Sequence, residues 1–438
     1  MGQASAVAAA VAAAIAMAAE GAAAASFGLV EHGVSGLGNA YSGGAAIAED
    51  PTTVFFNPAG MTRLSGTRAS FAVNYIKPSI QFKNQGSNLA GRFPISGGDA
   101  GDGGDGVWVP NAYLTHAVSD RVTLGLGIDV PFGLVTDYSD EWVGRYHAVK
   151  SDLKTINVNP SIAVKLDHGL SVGAGVSALY TDVTLTSMVD VGALAMSRRF
   201  PGATPGAYDA KVKISGDDWS FGYSLGLLYE LSEQTRFGMS YRKWFKPKPE
   251  GDAKFDYAAN TPAPLAASGY SDHTEDASAE VSLPDSLSVS AYHALTPEWA
   301  VMADVTWTNW SRTKSIPIEL ETTSSELHLD YKDSWRYGLG LTYTPSGGPF
   351  TWRVGVASDE EPIRSSEKRG PRLPANDRIW LALGANYRVT DKVSVDFGYA
   401  HLFVDDAKIN NTNEYGHTLK GDYDLKVDIV GLQLNWQM

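Results

Sequence analysis

Residues 25–66 read ASFGLVEHGVSGLGNAYSGGAAIAEDPTTVFFNPAGMTRLSG, and what this stretch is decides the fold. It has the pattern of neither a strand, a helix nor a linker. Small residues dominate it, with glycines at 28, 33, 36, 38, 43 and 44, which suits a compact, irregular segment packed closely against other backbone. Such a segment carries unpaired backbone polar groups, so it must lie in water or inside a polar cavity. The sequence that follows indicates the cavity.

From Thr67 onward, apolar residues fall on one parity and polar or small residues on the other, the signature of strands with two different faces. Trp335, Tyr337, Leu339, Leu341 and Tyr343 share a face opposite Arg336, Gly338, Gly340 and Thr342. Phe221 to Tyr229 and Val393 to Tyr399 alternate in the same way. Charges obey the rule too: Arg236, Arg242, Asp304, Arg336, Arg353 and Asp396 all oppose the apolar face, as do Glu230 and Arg388. A membrane barrel demands this, because an outward Arg or Lys at mid-bilayer costs roughly 2–4 kcal/mol. Asp285 breaks the parity just after Pro284, which predicts a rim position or a bulge there. The last strand flips phase between Leu425, Val427, Ile429 and Val430, Leu432, Leu434, which predicts a bulge near Ile429.

About fourteen strands emerge, near 67–81, 107–118, 121–134, 152–167, 170–186, 211–231, 235–246, 279–294, 298–311, 333–344, 350–358, 377–389, 392–403 and 422–437. The connections alternate strictly between short turns and long excursions, the latter at about 82–106, 135–151, 187–210, 247–278, 312–332, 359–376 and 404–421. The two ends of the sheet therefore face different environments, which a soluble sandwich has no reason to maintain. Outer-membrane barrels do so, with short periplasmic turns and long external loops. The expectation is an all-β chain: a fourteen-stranded antiparallel transmembrane β-barrel over 67–438, closed so that no strand edge meets lipid.

Composition agrees and excludes alternatives. The 438 residues include 45 Gly, 11 Trp and 20 Tyr, a bias that fits turn-rich β structure with aromatic belts at two interfaces. After the first 25 residues no stretch approaches the 18 or so apolar residues of a membrane helix. A net charge of −14 argues against nucleic acid, and zero Cys excludes disulfides and cysteine metal sites. Residues 4–24, Ala-rich and ending Ala22-Ala23-Ala24, read as a signal peptide (1–24) despite lacking a basic start. No HExxH or P-loop is present, and neither catalysis nor a cofactor is expected. The acidic glycine run 97–106 lacks the calcium-binding nonapeptide repeat and reads as a loop tip.

The ordered set Phe27, Gly36-Leu37-Gly38, Ala40-Tyr41-Ser42-Gly43, Ala46, Ala48-Glu49-Asp50 and Asn57-Pro58-Ala59 resembles the N-terminal hatch of the FadL-type outer-membrane transporters of long-chain fatty acids and other hydrophobic compounds. The resemblance implies that residues 25–66 are a hatch inside the lumen, with Phe27, Gly36, Gly38, Asn57, Pro58 and Ala59 in it. It implies that Pro131-Phe132-Gly133 form an inward kink that opens the wall sideways. It further implies an external hydrophobic capture groove, for which Trp142, Arg145, Tyr146, Leu194, Met196 and Phe200 are candidates. Where a fatty-acid-transporting relative places basic side chains near the ligand carboxylate, this chain offers Asp182 and Leu327. That leaves Arg145, Arg242, Arg336 and Arg388 as alternative cations, or as members of a lumenal charge network.

The expected function is passive uptake by a monomer in the Gram-negative outer membrane, through loop capture, lumenal binding, hatch movement and lateral release. The partners are a hydrophobic small-molecule ligand, outer-membrane lipid with its lipopolysaccharide, and the barrel assembly machinery. For that machinery, the terminal Trp436-Gln437-Met438 departs from the usual last aromatic residue. Uptake of neutral aromatic hydrocarbons is the neighbouring alternative. A surface adhesin or receptor with a closed hatch, or a barrel enzyme, belongs to a different class.

Overall fold

The computed structural model describes residues 27–321 and 323–438; the stretch assigned to the signal peptide lies outside the described residues. Fourteen wall strands run antiparallel in chain order. They begin with β1 (Thr67–Asn84), β2 (Val107–Ala117), β3 (Val122–Asp129, resuming as Gly133–Asp137), β4 (Lys150–Lys165), β5 (Leu170–Val189) and β6 (Ala210–Glu230). β7 (Thr235–Trp244, then Glu250–Tyr257), β8 (His273–Ala279, then Ser286–Ala294), β9 (Trp299–Thr308, then Ser315–Leu320) and β10 (Ser324–His328, then Ser334–Tyr343) follow. β11 (Phe350–Asp359), β12 (Arg378–Thr390), β13 (Val393–Val404, then Ala407–Thr412) and β14 (His417–Gln437) complete the wall. β1 pairs with β14 from Arg68 opposite Gln437 to Asn84 opposite Gly421, which closes the barrel.

The alternation in sequence is the alternation of faces. Leu339 is 63% exposed and Phe221 58%, whereas Arg336 between outward Trp335 and Tyr337 is 6% exposed. On β10 the eight residue steps from Trp335 to Tyr343 span roughly 27 Å at ~3.4 Å per residue. That matches an apolar band bounded by two aromatic girdles. Trp299 stacks on Tyr343 at the lower girdle, and Phe350 stacks on Trp352 beside it.

Two expectations change. β14 runs without a bulge, since its pairing is unbroken on both sides through Tyr75 opposite Val430 and Ala400 opposite Ile429. The phase flip at Ile429 is instead the level at which the strand leaves the bilayer. Below it, outward Val430, Leu432 and Leu434 meet lipid; above it, outward Asp424 and Lys426 meet water while Leu425, Val427 and Ile429 pack inward. The second change concerns the long connections. Those at 312–332 and 404–421 are largely hairpins, Ser315–Leu320 on Ser324–His328 and Ala407–Thr412 on β14. The one register irregularity between β12 and β13 sits at Arg388/Thr390.

Four strands, β7 to β10, break at the same level, at 245–249, 280–285, 309–314 and 329–333. Pro247, Pro249 and Pro284 lie in these breaks, where a ladder donor is missing anyway. Asp285 occupies one of them, so parity with Leu283 carries no meaning. It is buried and paired with Lys243 at 3.0 Å and with Arg312. The breaks turn Leu283, Trp310 and Tyr331 inward to form one apolar cluster with Phe27, Phe132 and Trp244. This cluster roofs the lumen.

Residues 27–66 fill the interior as short helical turns at Leu37–Asn39, Gly44–Ile47, Thr53–Phe56 and Pro58–Arg63, joined by irregular chain. Their backbone polar groups are met by inward side chains of the wall. Arg236 donates from Nε to Ala46 O at 2.6 Å and from Nη2 to Ile47 O at 2.8 Å. Asn74 and Asn111 both donate to Glu31 O, and Gln433 Oε1 accepts from Val34 N at 2.7 Å. Elsewhere the wall presents no side chain at all. A Cβ on Gly238 would strike the Ala45 carbonyl, one on Gly355 the Asn39–Ala40 peptide, and one on Gly38 the backbone of Gly384.

The fit predicts that Gly355→Val displaces the segment by overpacking, at a cost of about 1–3 kcal/mol. In planar bilayers the variant should pass ions where the parent is closed, with the heat-modifiable gel migration of a folded barrel retained. A variant as silent as the parent would contradict the packing argument.

Candidate ligand-binding site

A cavity of about 170 Å³ lies between the N-terminal segment, the break in β3 and the wall of β7 to β11. One side is aromatic, with Phe55, Phe56, Phe132, Trp244 and Trp310; the other is hydroxylic, with Ser286, Ser288, Ser290, Thr306 and Thr308. Phe27 closes the roof edge-on against Trp310, with ring centroids 4.8 Å apart, and Phe132 meets Trp244 at 5.5 Å.

The break in β3 has a local cause. Pro131 cannot donate to a ladder, and the chain turns inward at Val130–Phe132 before pairing resumes at Gly133 opposite Lys154. Its loose polar groups find other partners. Leu29 N donates to Pro131 O at 2.9 Å, Gly133 N donates to Phe27 O at 3.0 Å, and Thr155 Oγ1 donates to Phe132 O at 2.6 Å. Hence the break is tied to the start of the N-terminal segment, Gly133 to Phe27 and Pro131 to Leu29, while Phe132 is held by the wall and lies near the Phe27 ring. Beyond the break, Gly133–Asp137 pairs with β4, and Val107–Asn111 of β2 pairs only with β1, so the wall lacks a ladder between β2 and β3 at this level.

Asn57 holds the segment's other end. Its Nδ2 donates to Ala45 O at 2.7 Å and to Leu227 O at 3.0 Å, while its Oδ1 accepts from Ala59 N at 3.0 Å. Pro58 starts the turn Pro58–Arg63, and Ala59 lies against Gly173 and Gly226, where no side chain intervenes. Gly36 O accepts from Tyr41 N at 2.7 Å, and Gly38 abuts Gly384.

Beside the cavity His32 stacks on Phe55 with ring centroids 3.4 Å apart. Its Nε2 lies 3.0 Å from Leu29 O, which requires the proton on Nε2 and leaves the Nδ1 lone pair 3.7 Å from Asp129. Burial, helped by the nearby Arg242 cation, pushes the His32 imidazole well below its usual value, whereas burial raises the adjacent Glu31 carboxyl. The same dry surroundings thus disfavour the charged form of each group.

Of the four candidate cations, Arg242 and Arg336 line this cavity. Arg388 lines a separate polar cavity of about 350 Å³ at the short-turn end, together with Arg353, Glu49 and Asp396. Arg145 is tied by Nε to Asp209 at 2.8 Å in an external loop. Trp142 and Tyr146 are buried with it. Trp142 stacks on Tyr138 and donates to Ala148 O, and the Tyr146 hydroxyl donates to Asp209. Leu194 and Met196 lie on the turn Val191–Ser197, which Asp190 caps through Ala193 N at 2.7 Å; Phe200 follows it. Met196 is 37% exposed. Neither loop group lines the cavity, and neither do Asp182 on β5 or Leu327 on the external hairpin. Sequence reasoning passed over Phe55, Phe56, Trp244, Trp310 and the hydroxyl row. The row is legible as inward parity at 286, 288, 290 and 306, 308.

The His32 environment yields a pH dependence. A base whose docked pKa lies below its free value loses docking stability as pH falls below about 6.5, the unperturbed histidine value. Trypsin cleavage after Arg63 should therefore quicken between pH 7 and 5 in the parent, and less so in His32→Gln. Equal acid sensitivity in both proteins would show that His32 is not responsible.

A family model described as "Outer membrane protein transport protein (OMPP1/FadL/TodX)" matches residues 15–438. A Salmonella typhi long-chain fatty acid transport protein is 32% identical over 400 residues, covering 88% of this chain and 89% of that protein. A Pseudomonas aeruginosa FadL homologue shares the fold at a TM-score of 0.87 and 24% identity, over 94% of this chain and 99% of the other. The Pseudomonas putida toluene transporter TodX does so at 0.70 and 17%, over 94% and 99%. With its closed fourteen-stranded wall, occupied interior and family match over nearly all its length, this chain belongs to the outer-membrane transport proteins of the FadL type.

Proposed function

We propose that the protein carries long-chain fatty acids or similar hydrophobic molecules passively across the outer membrane. The observation that carries this reading is the aromatic-lined cavity lying directly against the break in β3, with the N-terminal segment as their shared boundary. Water and surface polysaccharide block an apolar solute from reaching the bilayer. In this reading the external loops take up the solute first. Leu194, Met196 and Phe200 supply the contact surface, and the buried Trp142, Arg145 and Tyr146 hold the loops in place. The solute then enters the cavity, where burial of apolar surface contributes roughly 25 cal/mol per Å².

Release requires residues 25–66 to act as a hatch. Phe27 bonds to Gly133 and meets Trp310 edge-on, so a ligand that enlarges the cavity by displacing Phe27 also frees the Pro131–Gly133 break. Asn57 anchors the far end while this happens. The ligand then leaves sideways through the unpaired stretch between β2 and β3. No catalysis and no cofactor enters this cycle. The barrel works as a monomer, surrounded by lipid and lipopolysaccharide, after insertion by the barrel assembly machinery.

Cavity size favours a second ligand class. An apolar cavity of about 150 Å³ holds one benzene, so the closed state accommodates a single aromatic hydrocarbon without any movement, while an eighteen-carbon acid needs the roof displaced. Labelled oleate and labelled toluene should be offered side by side to a Gram-negative host that lacks its own fatty-acid channel. Oleate uptake that depends on this protein, and falls several-fold in Asn57→Ala and Gly133→Val, is the expected result. Toluene uptake alone selects the hydrocarbon branch. Uptake of neither by a folded barrel would overturn transport in favour of a surface adhesin or receptor.

A further inference from the structure

The external connection between β11 and β12, residues 360–377, crosses the mouth of the barrel. Its first half is tied to the strands next door. Lys332 N, in the break of β10, donates to Pro362 O at 2.9 Å, and Asn410 N of β13 donates to Ser366 O at 2.9 Å. Its second half reaches the opposite side of the wall. There the Tyr138 hydroxyl, just past β3, donates to Pro371 O at 2.8 Å, and Thr136 Oγ1 of β3 donates to Arg372 O at 3.2 Å. Arg372 Nη1 donates to Lys150 O at 3.0 Å and Ser151 Oγ at 3.2 Å on β4, and to Thr186 O at 3.3 Å on β5. Ile363, Leu373 and Ala375 of the crossing are buried in the aromatic cluster that roofs the lumen.

The two attachments differ in kind. The near one rests on backbone-to-backbone bonds, reinforced by Arg369 Nη1 on Lys408 O at 2.6 Å. Among the described residues, every hydrogen bond of the far one uses a side chain. Pro371 and Pro374 bracket Arg372 and Leu373. Neither proline has an N–H, so lifting this stretch strands few backbone donors, and both hold φ fixed, so it moves as a stiff unit. Among the described residues no carboxylate lies within ion-pair distance of Arg372. The surrounding protein lowers its pKa to about 10, with no anion opposing the shift. It stays charged at neutral pH, but carbonyls and a hydroxyl lack the opposite charge that would hold it firmly. The far contact is therefore the one that gives way first.

Resting on the transport reading, we propose that residues 360–377 form the outer lid of the transport path, hinged on β10 and β13 and latched across the mouth by Arg372 and Tyr138, and that solute from the external loops reaches the cavity only when this latch opens. The lid and the N-terminal segment share one short element of wall. Within Gly133–Asp137, Gly133 N donates to Phe27 O and Thr136 holds the lid. Opening above and release below thus act on the same strand piece, which links the entry and exit sides of the path.

The chain has no Cys, so a single Ser288→Cys reports access to the aromatic-lined cavity, and a single Asn386→Cys reports access to the polar cavity at the short-turn end. The full-length protein in lipid nanodiscs is treated with a small sulfonated methanethiosulfonate, whose charge bars it from the lipid-facing break, and modification is followed by mass spectrometry. Arg372→Met should speed modification at position 288 about tenfold, the worth of one hydrogen bond to a charged group, and Arg372→Lys should return it toward the parent rate. Tyr138→Phe keeps the ring stacked on Trp142 and removes only the hydroxyl; it should speed modification at 288 roughly fivefold. The rate at 386, remote from the latch, should stay within about twofold of the parent in each variant. Unchanged rates at 288 in both Arg372→Met and Tyr138→Phe would overturn the lid, as would an equal rise at 288 and 386, the mark of general loosening. Oleate and toluene uptake decide the transport reading separately. A folded barrel that takes up neither, yet shows the latch effect at 288, keeps the lid over its cavity and loses the transport reading.

Discussion

A backbone without regular structure has been placed inside a membrane-spanning wall, and every buried amide of that backbone needs a partner. Each one left unpaired in the dry interior costs about 1–3 kcal/mol, so forty residues of irregular chain are tolerable only if the wall supplies donors and acceptors at matching places. It does so with Asn74, Asn111, Arg236, Arg242, Arg336 and Gln433, all inward-facing members of strands whose other parity meets lipid. The polar parity of the strands is thus the hydrogen-bonding complement of the N-terminal segment. Where backbone must touch backbone the same parity is glycine, at Gly238, Gly355 and Gly384.

This arrangement explains why the interior is neither a water channel nor a solid core. Side chains that reach the segment's carbonyls leave space between them, and the aromatic residues of the segment fill that space incompletely. What remains is the cavity beside Phe55 and Phe56. Its roof depends on a different device, the aligned breaks in β7 to β10, which fold Trp310 and Tyr331 over Phe27. The two are coupled because Phe27 belongs to the segment while its carbonyl bonds to Gly133 of the wall. Movement of any one of the segment, roof or break therefore disturbs the other two.

The sidedness of the strands also inverts along their length. Within the bilayer apolar side chains point out; above it they point in, as at Leu425, Val427 and Ile429, because the outside is now water and the inside a packed cluster. A reading based on period alone takes this inversion for a bulge, since a one-residue insertion and a change of solvent produce the same phase shift. Only the unbroken pairing on both flanks of β14 separates the two. Extension of the strands into external hairpins was legible but passed over: Ala253, Phe255 and Tyr257 alternate with Asp252, Lys254 and Asp256, and Ile316, Ile318 and Leu320 with Ser315, Pro317 and Glu319.

The sequence by itself determined the closed fourteen-stranded wall, the alternation of short and long connections and the inward parity of Arg236, Arg242, Asp304, Arg336, Arg353 and Asp396. Lipid enforces these position by position, and a rule enforced locally can be read locally. It also marked residues 25–66 as a segment unlike the strands, because so many glycines have no use in a lipid-facing ladder. Which strand meets which part of that segment was decided only by the tertiary structure. Arg242 lies over Phe55, and Phe27 bonds to Gly133, across separations of 187 and 106 residues. No periodicity encodes such contacts, since they follow from how the segment settles inside a cylinder whose inward side chains come from all fourteen strands at once. The cavity has the same origin: its hydroxyls were visible one strand at a time, but only cross-strand register brings Ser286, Thr308 and Ser334 into a row beside Arg242.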